Sequence, residues 1–183
     1  MRPLVMFASH LKYVLMGRTG VGPLGSDQAP YFAVSLLKLS VMSVCTGGLY
    51  EMYWFYKNWN LIKQHEERTD IMPFWRAFFA VFFCYPCFSR IYKDAASLGL
   101  RQSSLAGLLA AGWIIAVLLA EFPDPYWWLS QFSFAFLLPV QALVNRMNAT
   151  TTPQHDPNLR FTIWNLAAIA VCGTAIVFFM VAG

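Results

Sequence analysis

Uncharged apolar runs divide the chain. Residues 102–120, QSSLAGLLAAGWIIAVLLA, lie between Arg101 and Glu121, and residues 161–183 carry no charge after Arg160. Each matches the about 20 apolar residues a helix needs to cross a bilayer. A third run, 125–145, lies between Asp124 and Arg146 and contains Ser130, Gln131, Ser133, Pro139 and Gln141. Its polar groups are expected to face neighbouring helices, because lipid offers them no partners. Two earlier runs are shorter, with 12 uncharged residues between Lys38 and Glu51 and 13 between Arg76 and Arg90. If their end charges snorkel, they extend to 31–56 and 71–92. Runs this short leave spanning, interfacial and re-entrant structure all open. Tyr53, Trp54, Tyr56 and Trp59 then read as an interfacial aromatic belt closing the first helix, and Pro73 as the first turn of the second.

This pattern predicts an all-α, polytopic integral membrane bundle with four to five membrane-embedded helices, forming one domain over 31–183. Residues 1–30 read as an amphipathic arm, with Leu4, Phe7, Leu11, Val14 and Leu15 near one face, and a Gly- and Pro-containing linker.

Composition agrees with the pattern. The chain is 58% hydrophobic and only 12% charged, about half the charge of an ordinary soluble domain. Its formal charge of +4 resides in Lys and Arg at loops and segment ends, which suits anionic lipid and topology control. No basic run with interleaved aromatics supports nucleic-acid binding. Arg90, Lys93 and Arg101, with Arg146 and Arg160, place loops 90–101 and 146–160 in the cytoplasm and the C-terminus outside. The loop 57–70 is undecided: five spans put its basic residues outside, and a re-entrant second segment puts them inside. Either way nine basic residues lie inside and four outside.

Candidate chemistry is sparse. Glu51 is an acid inside a span, which is expensive enough to suggest a partner and a role. It lies six residues before Lys57, about 9 Å, and Arg76 lies five residues after 71, about 7.5 Å. In an antiparallel hairpin the two reach similar depth, so an ion pair is expected, either fixing register or forming a step in a polar path with Gln131 and Gln141. Cys84 and Cys87 have the spacing of a redox motif, but in an apolar helix beside Pro86 rather than in an exposed βαβ context. Ser103, Gly107 and Ala111 offer a small-residue packing face. A four-ligand zinc set is missing from the sequence, as are a Ser–His or Cys–His arrangement, a phosphate-cradling Gly loop and HExxH. No catalytic residue, metal or cofactor is expected.

Lys38 and Leu39, then Thr46, Gly48, Leu49, Tyr50, Glu51, Tyr53, Trp54, Phe55, Tyr56, Lys57, Asn58 and Trp59, resemble the hallmark of a family of small bacterial integral membrane proteins of unknown function. Residues 139–165 are similar to that family's closing section. The resemblance implies a bacterial inner-membrane location and brings no activity or catalytic residues. The expectation is therefore a non-catalytic structural or interaction component whose partners are the lipid bilayer and a second copy or another membrane protein. A small transporter or channel subunit using Glu51 and Arg76 is the alternative, and an intramembrane thiol protein using Cys84 and Cys87 the weaker one.

Overall fold

The computed structural model describes residues 28–100, 105–123 and 126–182, without the side chains of 127 and 176–182. Most of the predicted N-terminal arm lies outside the described residues, as do Arg101, Ser103 and Asp124. The described chain is all-helical: α1 (Leu36–Cys45), α2 (Leu49–His65), α3 (Pro73–Phe78), α4 (Ala80–Ser97), α5 (Ala106–Leu118), a 3₁₀ turn (Leu119–Glu121), α6 (Trp127–Ser130), α7 (Phe134–Thr151) and α8 (Ile163–Ala182).

The predicted first helix is two. Thr46 donates its hydroxyl to Met42 O at 2.6 Å and accepts Tyr50 N–H at 3.0 Å. Between those bonds Gly47 (φ 57°) and Gly48 (φ 87°) take the left-handed conformation, which glycine enters without steric cost. The chain then turns back. Phe32 N–H, before α1, donates to Asn58 Oδ1 in mid-α2 at 3.1 Å, so α1 and α2 form a hairpin.

α2 continues to His65, well past the predicted aromatic boundary. Trp54 and Trp59 are fully buried, and only Tyr53 and Tyr56 reach the surface. Those four residues therefore do not form one interfacial belt. Apolar side chains at 54, 55, 59 and 62 fill one helical face, and Phe55 packs between Phe88 of α4 and Trp113 of α5.

The second predicted segment also breaks, at Phe79 (φ −95°, ψ 41°), into α3 and α4. Pro73 occupies the first turn of α3, as expected. α4 runs on past Pro86 and ends where Gly99 (φ 70°) lets Leu100 N–H donate to Ala95 O at 3.0 Å. The segment 125–145 becomes the single turn α6 and a longer α7 that reaches Thr151.

No helix among the described residues is long and apolar enough to cross a membrane. α5 has 13 residues, about 20 Å at 1.5 Å per residue, against a hydrocarbon core of about 30 Å. α2 packs on α1, α3 and α4; α7 packs on α1, α4 and α5; α8 rests mainly on α1.

Several contacts gather the basic loops at one end. Gln28 Nε2 donates to Gln64 Oε1 at 3.1 Å, Arg90 Nε to Glu66 Oε1 at 2.8 Å, and the Tyr31 hydroxyl to Asp94 at 2.6 Å. The start of the described chain, the 66–72 turn and the end of α4 therefore lie together. The turn at Gly47–Gly48 and the 3₁₀ turn lie toward the opposite end.

An apolar core holds several polar side chains, and large apolar side chains also cover the surface. Glu51, Asn58, Gln141, Asn148 and Lys38 are buried, whereas Phe82 is 74% exposed, Leu108 71%, Ile163 77% and Trp164 80%.

Candidate functional site

Glu51 lies in the first turn of α2, where the helix dipole favours a carboxylate. It is 3% exposed. Trp113 Nε1 of α5 donates to its Oε2 at 2.5 Å, and the Ser133 hydroxyl, just before α7, donates to Oε1 at 2.7 Å. Each carboxylate oxygen thus holds one donor, and the side chain ties α2 to two other elements.

The predicted ion pair with Arg76 does not form. Equal depth required the first helix to end at Lys57, but α2 runs to His65, leaving Glu51 about 21 Å from the hairpin at 1.5 Å per residue. Arg76 is one turn into α3, level with Trp59 instead. Its guanidinium lies 4.4 Å from the Trp59 ring centroid and 5.3 Å from that of Phe83. Arg90 reaches the same indole at 5.3 Å. Among the described residues, the ion pairs join Arg68 to Glu66 and Asp70, and Arg90 to Glu66.

Gln141 and Gln131 do not share a face. Gln141 is fully buried on α7: its carbonyl accepts the Trp54 indole N–H, and its amide donates to Asn145 Oδ1 at 2.8 Å and Phe32 O at 3.1 Å. Gln131 lies in the turn before α7, partly exposed.

Gln141 belongs to a set of amides that grip the extended segment 31–34. Asn148 accepts Tyr31 N–H at 3.3 Å and donates to Tyr31 O at 2.9 Å. Asn58 accepts Phe32 N–H, Asn145 donates to Val34 O at 2.9 Å, and Asn158 donates to Ala33 O at 3.1 Å. Buried backbone groups that a strand would pair with another strand are paired here by side chains, as burial demands.

The remaining candidates are separated. Gly107 and Ala111 lie on the exposed side of α5, and Ala106, Ala110, Trp113 and Ala116 face inward. The close approach is at Gly112, where an added Cβ would come within 2.3 Å of Phe136 Cε1. Cys84 and Cys87 are free thiols with no exposed surface, closed to any exchange partner. No group of three or more potential metal ligands occurs among the described residues.

Trp113 and Ser133 were not legible as the partners of Glu51, because both are distant in sequence and individually ordinary. Nor was Lys38, 2% exposed, whose ammonium donates to Asn158 Oδ1 at 2.8 Å and Arg160 O at 2.7 Å. A signal for the amide set exists: 141, 145 and 148 recur at helical spacing, and only a polar target explains three amides on one buried stripe. No family model matches the chain, and no curated protein or solved structure matches it.

Proposed function

We propose that this chain is a non-catalytic, polytopic component of a bacterial inner membrane, acting through lipid and protein contacts on its apolar outer surface. The observation that carries this reading is the apolar outer surface. Buried amides and charges hold partners inside, and large apolar side chains such as Leu37, Phe82, Leu108, Ile115, Ile163 and Val171 point outward. A soluble monomer rarely exposes so many large apolar side chains. Broken helices are tolerated at membrane depth where their loose backbone groups are buried in protein. The turn at Thr46, Gly47 and Gly48 supplies those bonds internally.

The clustering of the 66–72 turn with Arg90 and Asp94 supports the re-entrant arrangement of 71–92. Loops 57–70 and 90–101 then face the cytoplasm and the C-terminus lies outside. A transport path through Glu51 lacks support, since both of its oxygens accept from buried protein donors. Thiol chemistry at Cys84 and Cys87 lacks an approach.

Carbonate extraction of bacterial membranes tests the reading, with a Thr69→Cys variant, its four native cysteines replaced, reporting the side. The chain is expected to stay in the washed pellet. The introduced thiol is expected to react with an impermeant maleimide only in opened vesicles or lysed cells. Recovery of a monodisperse monomer without detergent would overturn the membrane assignment. Labelling of the Thr69→Cys variant in intact spheroplasts would overturn the orientation.

A further inference from the structure

A cleft of about 490 Å³ opens between α1, the start of α2 and α8, within the range of small-molecule sites. Lys38, Asn158 and Asn165 supply polar lining, and Met42 on α1 with Ala168 and Cys172 on α8 lie one to two turns further along. Thr46, Tyr50 and Tyr53 add polar groups from the turn and the start of α2.

Lys38 is the unusual member. An ammonium has three donors, and two of Lys38's meet neutral oxygens, on Asn158 and Arg160. Among the described residues no carboxylate lies within 4 Å of it, and Asp156 acts on it only from farther away. Burying a cation without a counter-charge is unfavourable, and an anion in the cleft would offset it. Removal of the charge by proton loss would instead leave a merely polar cleft, so the anion's effect is measurable.

We propose that this cleft binds one anionic amphiphile, its carboxylate or phosphate on Lys38 and Asn158 and its hydrocarbon chain along Met42, Ala168 and Cys172. The proposal rests on the membrane reading only in that a bilayer would supply the ligand.

Native mass spectrometry of the full chain released from detergent tests it, with phosphatidylglycerol, phosphatidylcholine, palmitate and inorganic phosphate as separate probes. One equivalent of phosphatidylglycerol or palmitate is expected, at least tenfold tighter than phosphatidylcholine. Whichever of the two binds better identifies a two-chain or one-chain ligand. Lys38→Met is expected to weaken binding at least tenfold, Ala168→Trp to abolish it by filling the cleft, and Lys93→Met, on exposed α4 surface, to leave it unchanged.

Equal binding of phosphatidylcholine, equal loss in Lys93→Met, or saturation by inorganic phosphate alone would overturn the proposal. Should Lys38→Met fail to fold, retained binding in Ala168→Trp would overturn it independently. Palmitate binding by a chain that fractionates as soluble would refute the membrane reading and leave the site standing.

Discussion

Replacing Asn148 by Ala removes the side chain that both accepts from and donates to Tyr31. Asn148 is fully buried, as is nearly all of Tyr31, and no water can take over either bond without opening the bundle. The two contacts, at 3.3 and 2.9 Å, leave one orphaned N–H and one orphaned C=O. Each costs about 1–3 kcal/mol, so the substitution is expected to destabilise the fold by about 2–6 kcal/mol. At about 2–4 °C per kcal/mol for a chain of this size, the melting midpoint in detergent falls by at least about 4 °C. Hydrogen exchange localises the effect: peptides covering 29–36 lose protection before those covering α4 and α5. Asn145→Ala, which gives up the bond to Val34 O and the one from Gln141, is expected to do less. A midpoint within about 1 °C of the parent, with unchanged exchange at 29–36, would refute the idea that side-chain amides hold this segment.

Other outcomes follow from the geometry. In double-mutant cycles, Glu51→Ala with Arg76→Ala is expected to couple by less than about 0.5 kcal/mol. Glu51→Ala with Ser133→Ala should couple by about 1 kcal/mol or more, and the reverse order would restore the predicted ion pair. Gly112→Ala drives a methyl into Phe136 and is expected to cost about 1–3 kcal/mol. Gly107→Ala, with Tyr85 at 3.8 Å, should be near neutral, and Phe136→Leu should recover part of the Gly112 loss in a thermal melt. Maleimide is expected to modify Cys45 and Cys172 in the folded chain and Cys84 and Cys87 only after unfolding, as intact-mass spectra would show. The hydrogen bond from Arg68 holds the Asp70 carboxyl below the usual carboxylate range. Any stability from that contact is therefore present above the ordinary pKa near about 3.9 and is lost as pH falls through the lowered value. Carboxyl NMR of Arg68→Gln should show the Asp70 midpoint returning upward, and an unmoved midpoint would refute that contact.

The apolar runs announced where helices would form, because burial of apolar faces is local information carried by composition and period. They did not announce where helices would stop. Gly47–Gly48 was legible as a permissive pair, yet whether it packs within a helix or breaks one depends on what Thr46 and Phe32 find around them. The N-terminal boundary of α7 fell later than 125–145 implied, and Ser133 just before it reaches Glu51. That contact exists only once the bundle has formed. Glu51 is legible as an acid in apolar company, and the structure gives it Trp113 and Ser133 as donors. Its partners were misassigned because depth arithmetic needs a known hairpin end, and α2 ends at His65 rather than near Lys57. Lys38 was visible as a charge at the edge of an apolar run, and snorkelling toward water was the natural expectation. Instead the 152–162 loop folds over it, with Asn158 at φ 50° presenting its side-chain carbonyl.

The grip on residues 31–34 also sets an order of events in time. The partners of Tyr31 lie 117 residues downstream, so a ribosome adding about 5–20 residues per second needs about 6–23 s to deliver them. During that interval the Tyr31 N–H and C=O wait for Asn148, while Phe32 N–H has Asn58 as an acceptor much earlier. The first part of the described chain to be made thus waits for Tyr31's backbone partners until α7 is complete, and a nascent chain halted before Asn148 should be cut by protease ahead of α1 while the finished protein is not.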